Sequence, residues 1–167
     1  TKSRISVADI LREEADALLS AFAQKITCEY HFSENLPMIE TDAEQMRRAF
    51  RSLISNAIEA MPDGGKTDIR ADSMTIDEYI QIHGVLLEKG QYVRISISDS
   101  GIGIAEEDIA RIFDPYFSRK QRGPQRGMGL GLTLAYAIIH SHHGKIAVES
   151  QKEKGTTFHI YLPVISE

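Results

Sequence analysis

This chain has a single cysteine, Cys28, among its 167 residues, so no disulfide can form within it, and a reducing compartment is the simplest setting. It has no apolar run long enough to span a bilayer. Its first thirty residues are too rich in charge for a secretory signal. An excess of positive charge is missing too: 19 basic against 24 acidic residues leave a net −5, which argues against a general nucleic-acid grip. Internal repeats, low-complexity tracts and linkers are absent. Two familiar phosphate motifs are excluded. The P-loop needs Gly-Lys-Ser/Thr, which occurs nowhere, and the dinucleotide fingerprint needs a glycine where Leu132 stands. None of the six histidines has a local Cys or carboxylate spacing that resembles a zinc site, and none is followed by Asp or Glu. His142 and His143 suit the negative end of a helix, and His31 and His159 fall in strands.

What is present reads as one soluble domain. Apolar residues make up 42% and charged residues 26%, at a length that closes a core without staples. Helical periodicity predicts an amphipathic helix over 7–24. Ile26–Phe32 reads as a strand. Thr41 with Glu44 reads as a capping box that opens a second helix, buried through Met46, Phe50, Leu53, Ile54, Ala57 and Met61. Pro62-Asp63-Gly64-Gly65 ends it. Residues 67–74 and 92–99 alternate with period two and predict half-buried strands, while 75–90 stays unassigned. A short helix is expected over 105–113, an irregular basic loop over 114–129, and an apolar helix over 130–143 with Gly144 as its stop. Two last strands, 145–150 and 156–162, flank a polar turn. The mixture predicts an α+β two-layer sandwich, a mixed sheet with helices on one face.

Three positions carry chemistry. Asn56 is an unfavourable helix-interior residue, on the border between the buried stripe and the polar face. Its amide oxygen suits magnesium, which takes few protein ligands; an ordinary half-exposed Asn is the bland alternative. Asp99 ends a strand before Ser100-Gly101-Ile102-Gly103. It can accept from an exocyclic amine or cap its own turn, and Gly101 and Gly103 allow close backbone approach. Gly127, Gly129 and Gly131 open a helix behind Lys120, Arg122 and Arg126, where backbone N–H groups favour phosphate.

With these residues in place, the chain resembles the ATP-binding catalytic domain of sensor histidine kinases, within the wider GHKL ATPase superfamily. The likeness covers nearly the whole chain, 1–167, with a lid at 114–129. NAIEAMPDGG, DSGIGI, IFDPYFSRK, GMGLGL and GTTF resemble the family's N, G1, F, G2 and G3 boxes. The resemblance implies a Bergerat-type fold with ATP and Mg²⁺ under the lid. Asn56 would ligate the metal, Asp99 would accept from the adenine amine, and Gly101 and Gly103 would line the base. Lys120 would reach the phosphates, Gly127, Gly129 and Gly131 would present backbone to them, and Thr156 would join Asp99. Hydrolysing relatives carry a Glu four residues before the Asn; Ser52 stands there, which favours transfer over hydrolysis. Some kinases carry a Lys three residues after it; here it is Glu59. The implied partners are a dimerisation domain bearing the acceptor His, expected upstream of Thr1, and a response-regulator receiver domain. The domain itself would be cytoplasmic and touch neither membrane nor nucleic acid. A membrane anchor elsewhere in a parent protein stays open.

Overall fold

In a computed structural model of the chain, residues 1–114 and 129–164 are described. Strand β1 (Ser3–Ile5) leads into helix α1 (Val7–Leu19), which a 3₁₀ turn (Ser20–Phe22) closes. Strands β2 (Ile26–Phe32) and β3 (Ile39–Thr41) precede helix α2 (Ala43–Glu59). Then come β4 (Gly65–Ile76), the hairpin β5 (Ile80–Ile82) and β6 (Val85–Leu87), and β7 (Gly90–Asp99). A short helix α3 (Glu106–Ile109), helix α4 (Gly129–Ser141), β8 (Lys145–Gln151) and β9 (Gly155–Pro163) complete the order.

Five strands form the main sheet in the order β2-β4-β7-β9-β8. β2 runs parallel to β4 and every other pair is antiparallel, so the sheet is mixed. Alternation sorts the side chains. Val93, Ile95 and Ile97 of β7 and Phe158, Ile160 and Leu162 of β9 are buried in one core with Leu11, Phe50, Leu53 and Ile139 from the helices. Arg94, Ser96 and Ser98 point to the opposite face. The unassigned stretch 75–90 is the end of β4 and a hairpin, which builds a second small core of Ile76, Leu87, Tyr92 and Tyr161. Among the described residues no helix is long and apolar enough to cross a membrane.

Several boundaries differ from expectation for local reasons. Helix α1 stops at Leu19, and Phe22 is exposed rather than part of the buried stripe. The cap of α2 is Asp42, whose Oδ1 accepts from the Gln45 N–H at 3.1 Å; Thr41 instead ends β3 and is buried. Asp wins because its carboxylate also meets the positive end of the helix. The helix expected over 105–113 shrinks to one turn followed by turns. At the end of α4 the residue with left-handed backbone is His143, at φ 65°, and the Gly144 N–H closes back on the Ile139 carbonyl at 2.9 Å. Gly144 is needed for space: a Cβ there would lie 2.8 Å from the Tyr161 carbonyl oxygen. His142 donates from Nδ1 to the Ile138 carbonyl at 2.8 Å and accepts at Nε2 from the Asp42 N–H at 3.2 Å, which ties the start of α2 to the end of α4.

Helices α1 and α2 are pinned by a charge cluster. Glu14, 8% exposed, accepts from Arg51 Nε at 2.9 Å and Arg47 Nη1 at 3.2 Å. Arg47 also reaches Glu13 at 2.8 Å. The Arg51 hydrogen bond leads the effects that hold the Glu14 carboxyl below its ordinary 4.5, against the opposing effect of burial. A depressed folded-state pKa contributes stability that is fully present above that ordinary value and is lost as pH falls through the folded one. We expect Glu14→Gln to cost about 1.5–3 kcal/mol at neutral pH. Denaturant midpoints measured from pH 7 downward should converge for wild type and variant below pH 4.5; parallel curves would refute the assignment.

Candidate functional site

The helix-facing side of the sheet changes character at one end. Successive rows across it run Ala71–Ile95–Ile160, then Ile69–Ile97–Phe158, then Thr67–Asp99–Thr156–Ser150. The first two rows are core, and the third is polar yet still sheltered: Thr67 is 2%, Asp99 8% and Thr156 3% exposed. Groups so placed must be hydrogen-bonded. Thr67 donates to the Ser98 carbonyl at 2.7 Å. Thr156 and Ser150 share a hydroxyl contact of 2.8 Å, and Ser150 Oγ accepts from the Ile104 N–H at 2.7 Å. One oxygen of Asp99, Oδ1, accepts from the Gly101 N–H at 2.9 Å, which fixes the orientation of its carboxylate. Thr67 and Ser150 escaped sequence reasoning because their place in this row depends on strand register, which no local pattern records.

Asn56 stands on the other wall. It lines a cleft of about 210 Å³ with Arg51, Ser52, Ser55 and Glu59 of α2 and Gly131 and Leu132 of α4. One end of its carboxamide, Nδ2, is buried without a hydrogen-bond partner. An orphaned buried polar end costs about 1–3 kcal/mol, a deficit that a ligand can relieve. Where hydrolysing relatives were expected to carry a Glu, the cleft has Ser52, and its carboxylate is Glu59, one turn beyond Asn56.

The glycines divide into kinds. Gly101 and Gly103 are crowded by the protein itself: an added Cβ would lie 2.3 Å from the Ala60 carbonyl oxygen at the first and 2.0 Å from the Gln151 carbonyl oxygen at the second. Gly103 also has φ +73°. Gly131 is different, since among the described residues a Cβ there would meet only Ser52 atoms, at 3.9 Å. Helix packing therefore does not explain it. Gly129 opens α4. Lys120 and Gly127, and most of the expected lid 114–129, lie outside the described residues. At its near end Phe113 packs on Tyr136 and Phe158, with ring centroids 5.0 and 6.1 Å apart, and its carbonyl accepts from Thr133 Oγ1 at 2.9 Å.

A model of the histidine kinase-, DNA gyrase B-, and HSP90-like ATPase family matches residues 41–166, which holds both walls of this site. The chain belongs to that family. Sporulation kinase E of Bacillus subtilis is 35% identical over 159 residues, 95% of this chain and 19% of that protein. Sensor histidine kinase ZraS of Escherichia coli is 34% identical over 144 residues, 86% of this chain and 27% of that protein. Among solved structures, the catalytic domain of histidine kinase ThkA superposes with a TM-score of 0.76 at 27% identity, covering 98% of this chain and 95% of that one. The fold is thus that of histidine kinase catalytic domains, a nucleotide-binding type. The chain spans 19% and 17% of the first two curated relatives, which are multidomain-sized kinases.

The two kinds of glycine predict opposite responses. Gly103→Ala should destabilise by about 2–5 kcal/mol, from a left-handed backbone plus overlap with the Gln151 carbonyl. Gly131→Ala should be neutral or stabilising by up to about 1 kcal/mol, the ordinary helix gain. Thermal midpoints of the pair decide it, and a Gly131 variant as damaged as the Gly103 variant would show that packing explains both.

Proposed function

We propose that this chain is the ATP-binding catalytic domain of a two-component sensor kinase, spanning 1–167. It holds Mg²⁺·ATP between α2, α4 and the polar row of the sheet. It presents the γ-phosphate to a histidine on a separate dimerisation domain, from which a response-regulator receiver domain is then charged. The Asn56 carboxamide on the wall of the cleft is the observation that carries the reading: an amide is an unfavourable group inside a helix, and its oxygen is a hard ligand for magnesium. Magnesium, when bound, would screen the charge of the β- and γ-phosphates. Asp99, oriented by the Gly101 N–H, would accept from the adenine amine, with Thr156 alongside. The crowding at Gly101 and Gly103 gives them a second duty, holding that loop against the end of α2 while they border the base. The open backbone at Gly131, with Gly127 and Gly129 before it, would face the phosphates, and Lys120 would neutralise them from the lid. At about 210 Å³ the described cleft is smaller than the ~300–1,000 Å³ of a whole ligand site, which suits the ion and phosphates with the base placed elsewhere.

Transfer needs positioning more than covalent participation by the protein. The acceptor imidazole nitrogen forms a bond to the γ-phosphorus as the bridging β–γ oxygen leaves with ADP. Ser52 supplies no carboxylate to activate water, which disfavours the ATPase alternative. A Ser-kinase role or a non-catalytic nucleotide-binding module are the other readings; transfer of label to a histidine domain discriminates against both.

Asp99→Asn keeps the Oδ1 acceptor for Gly101 yet turns the other oxygen into a donor. It should cost about 1.5–3 kcal/mol of ATP affinity with little change in thermal midpoint. Equal ATP and GTP affinity in the wild type would contradict the role. Asn56→Ala should abolish the magnesium dependence of ATP binding, and Gly131→Ala should weaken ATP while leaving the fold intact; both are read by nucleotide titration with and without Mg²⁺.

The decisive experiment supplies the parent's dimerisation domain and follows radiolabel from γ-labelled ATP. Wild type should label the histidine, Asn56→Ala should not, and the chain alone should turn over almost no ATP. Robust phosphate release by the chain alone, lost in Asn56→Ala, would favour the ATPase reading instead.

A further inference from the structure

The outer face of the sheet carries a second constellation, away from the helices. His159 of β9 and His83, at the turn of the β5–β6 hairpin, stack with ring centroids 4.0 Å apart and 2° between planes. Both address one carboxylate: Glu149 Oε1 lies 2.7 Å from His159 Nε2, and Oε2 lies 3.2 Å from His83 Nδ1. The three ligand atoms all lie within 4.8 Å of one another. We propose that His83, His159 and Glu149 form a zinc-binding site that fastens the β5–β6 hairpin to the outer face of the sheet.

The ligand set is two imidazole nitrogens and one carboxylate oxygen, a combination zinc takes with a water in the fourth position. Bond lengths of about 2.0–2.2 Å around a tetrahedral ion place ligand atoms roughly 3.2–3.6 Å apart. The two contacts to Glu149, at 2.7 and 3.2 Å, lie near that range, but rings stacked in parallel cannot both aim in-plane lone pairs at one ion, so a reorientation is required. Most of it falls to His83, which must tilt its ring out of the parallel stack; it sits at an exposed turn with left-handed backbone, φ 50°, and Gly84 beside it. His159 is better fixed, its side chain only 12% exposed. Ser96, directly opposite it in the register, lies 3.1 Å from Nδ1. In the metal-free chain Nε2 donates to Glu149 and Nδ1 accepts from the Ser96 hydroxyl; on zinc binding the proton would move to Nδ1, which would then donate to Ser96, the outer hydrogen bond that metal-ligating histidines usually make. Burial, the largest effect on it, holds the His159 imidazole below its ordinary pKa. Of the arginines on this face, Arg94 is engaged in a two-pronged pair with Asp72 at 3.0 and 2.8 Å, while Arg70 remains a positive neighbour that moderates affinity. Two nitrogens select zinc over magnesium, so this site would not compete for the ion that accompanies ATP.

The test is zinc titration of the whole nucleotide-free chain against a chromogenic chelator, with Co²⁺ substitution to read tetrahedral coordination from visible absorption. One zinc per chain is expected, unaffected by millimolar magnesium, with the thermal midpoint rising as zinc is added. His83→Ala removes a ligand at a surface turn and should weaken zinc by more than about tenfold. Ser96→Ala, a positioning change, should weaken it by about 10–100-fold with the Co²⁺ spectrum altered. His31→Ala, in the other His-carboxylate group with Glu29 and Asp68, should leave binding unchanged. Absence of binding, equal affinity in His83→Ala, or loss in His31→Ala would each overturn the proposal, and all leave the nucleotide reading untouched.

Discussion

The register of β7 between β4 and β9 is the constraint on which the rest depends. β7 alternates strictly over Val93 to Asp99, and its buried set packs against helices while its polar set faces out. A slip of one residue would carry Val93, Ile95 and Ile97 to the outer face and bring Arg94 and Ser96 into the core. The cost of burying an arginine there without a partner makes the register unambiguous. That same alternation brings Asp99 into line with Thr67 and Thr156, and Ser96 with His159. Ser96 and Asp99 are an odd number of residues apart, so they belong to opposite faces. One strand thus sets both the sheltered polar row and the outer histidine site.

The loop after β7 shows why a glycine-rich motif should not be read through the ligand alone. Ile102 donates its N–H to the Ala60 carbonyl at 3.0 Å, and the Ile102 carbonyl accepts from Glu153 at 2.5 Å. The loop is therefore wedged between the end of α2 and the β8–β9 turn, with Gly101 against one and Gly103 against the other. A side chain at either position would push those elements apart. Since α2 carries Asn56 and β7 carries Asp99, these contacts set the distance between the two walls of the cleft. The glycines are joints first. Gly131, which among the described residues crowds nothing, has a missing side chain that their packing leaves unexplained.

Much of this was legible in the sequence. Period-two alternation located β4 and β7, helical periodicity located α1, a buried stripe located α2, an apolar run located α4, and the mixed architecture followed from the mixture of helices and hairpins. Asn56 announced itself as a poor helix former at a stripe border, and its orphaned amide is the structural counterpart of that misfit. What was not legible depends on contacts between distant segments. Thr41 and Glu44 matched a local capping pattern, but the pairing of β1 with β3 claims Thr41 for a strand and leaves the cap to Asp42. Gly144 looked like a helix stop, yet its requirement comes from β9 packing behind it. The histidines were read as bland because zinc spacings were sought along the chain. His83, Glu149 and His159 come together only through a hairpin folding back over a register that joins β8 to β9.

The two sites share strands yet have reasons to act independently. His159 lies three positions beyond Thr156 along β9, about 10 Å of extended chain. Between them runs the Ile97–Phe158 row, fully packed under the helices. A core of that density transmits position but offers no second arrangement for a ligand to select, and coupling requires an element with two states that both sites bias. The β5–β6 hairpin is the more mobile partner on physical grounds: Tyr79, Ile80 and Leu86 are exposed, and its anchor is the small cluster around Leu87, Tyr92 and Tyr161. A metal that joined His83 to His159 would act on the hairpin's docking equilibrium, which lies on the outer face. The cleft walls, built from α2, α4 and the inner row, would see an unchanged sheet.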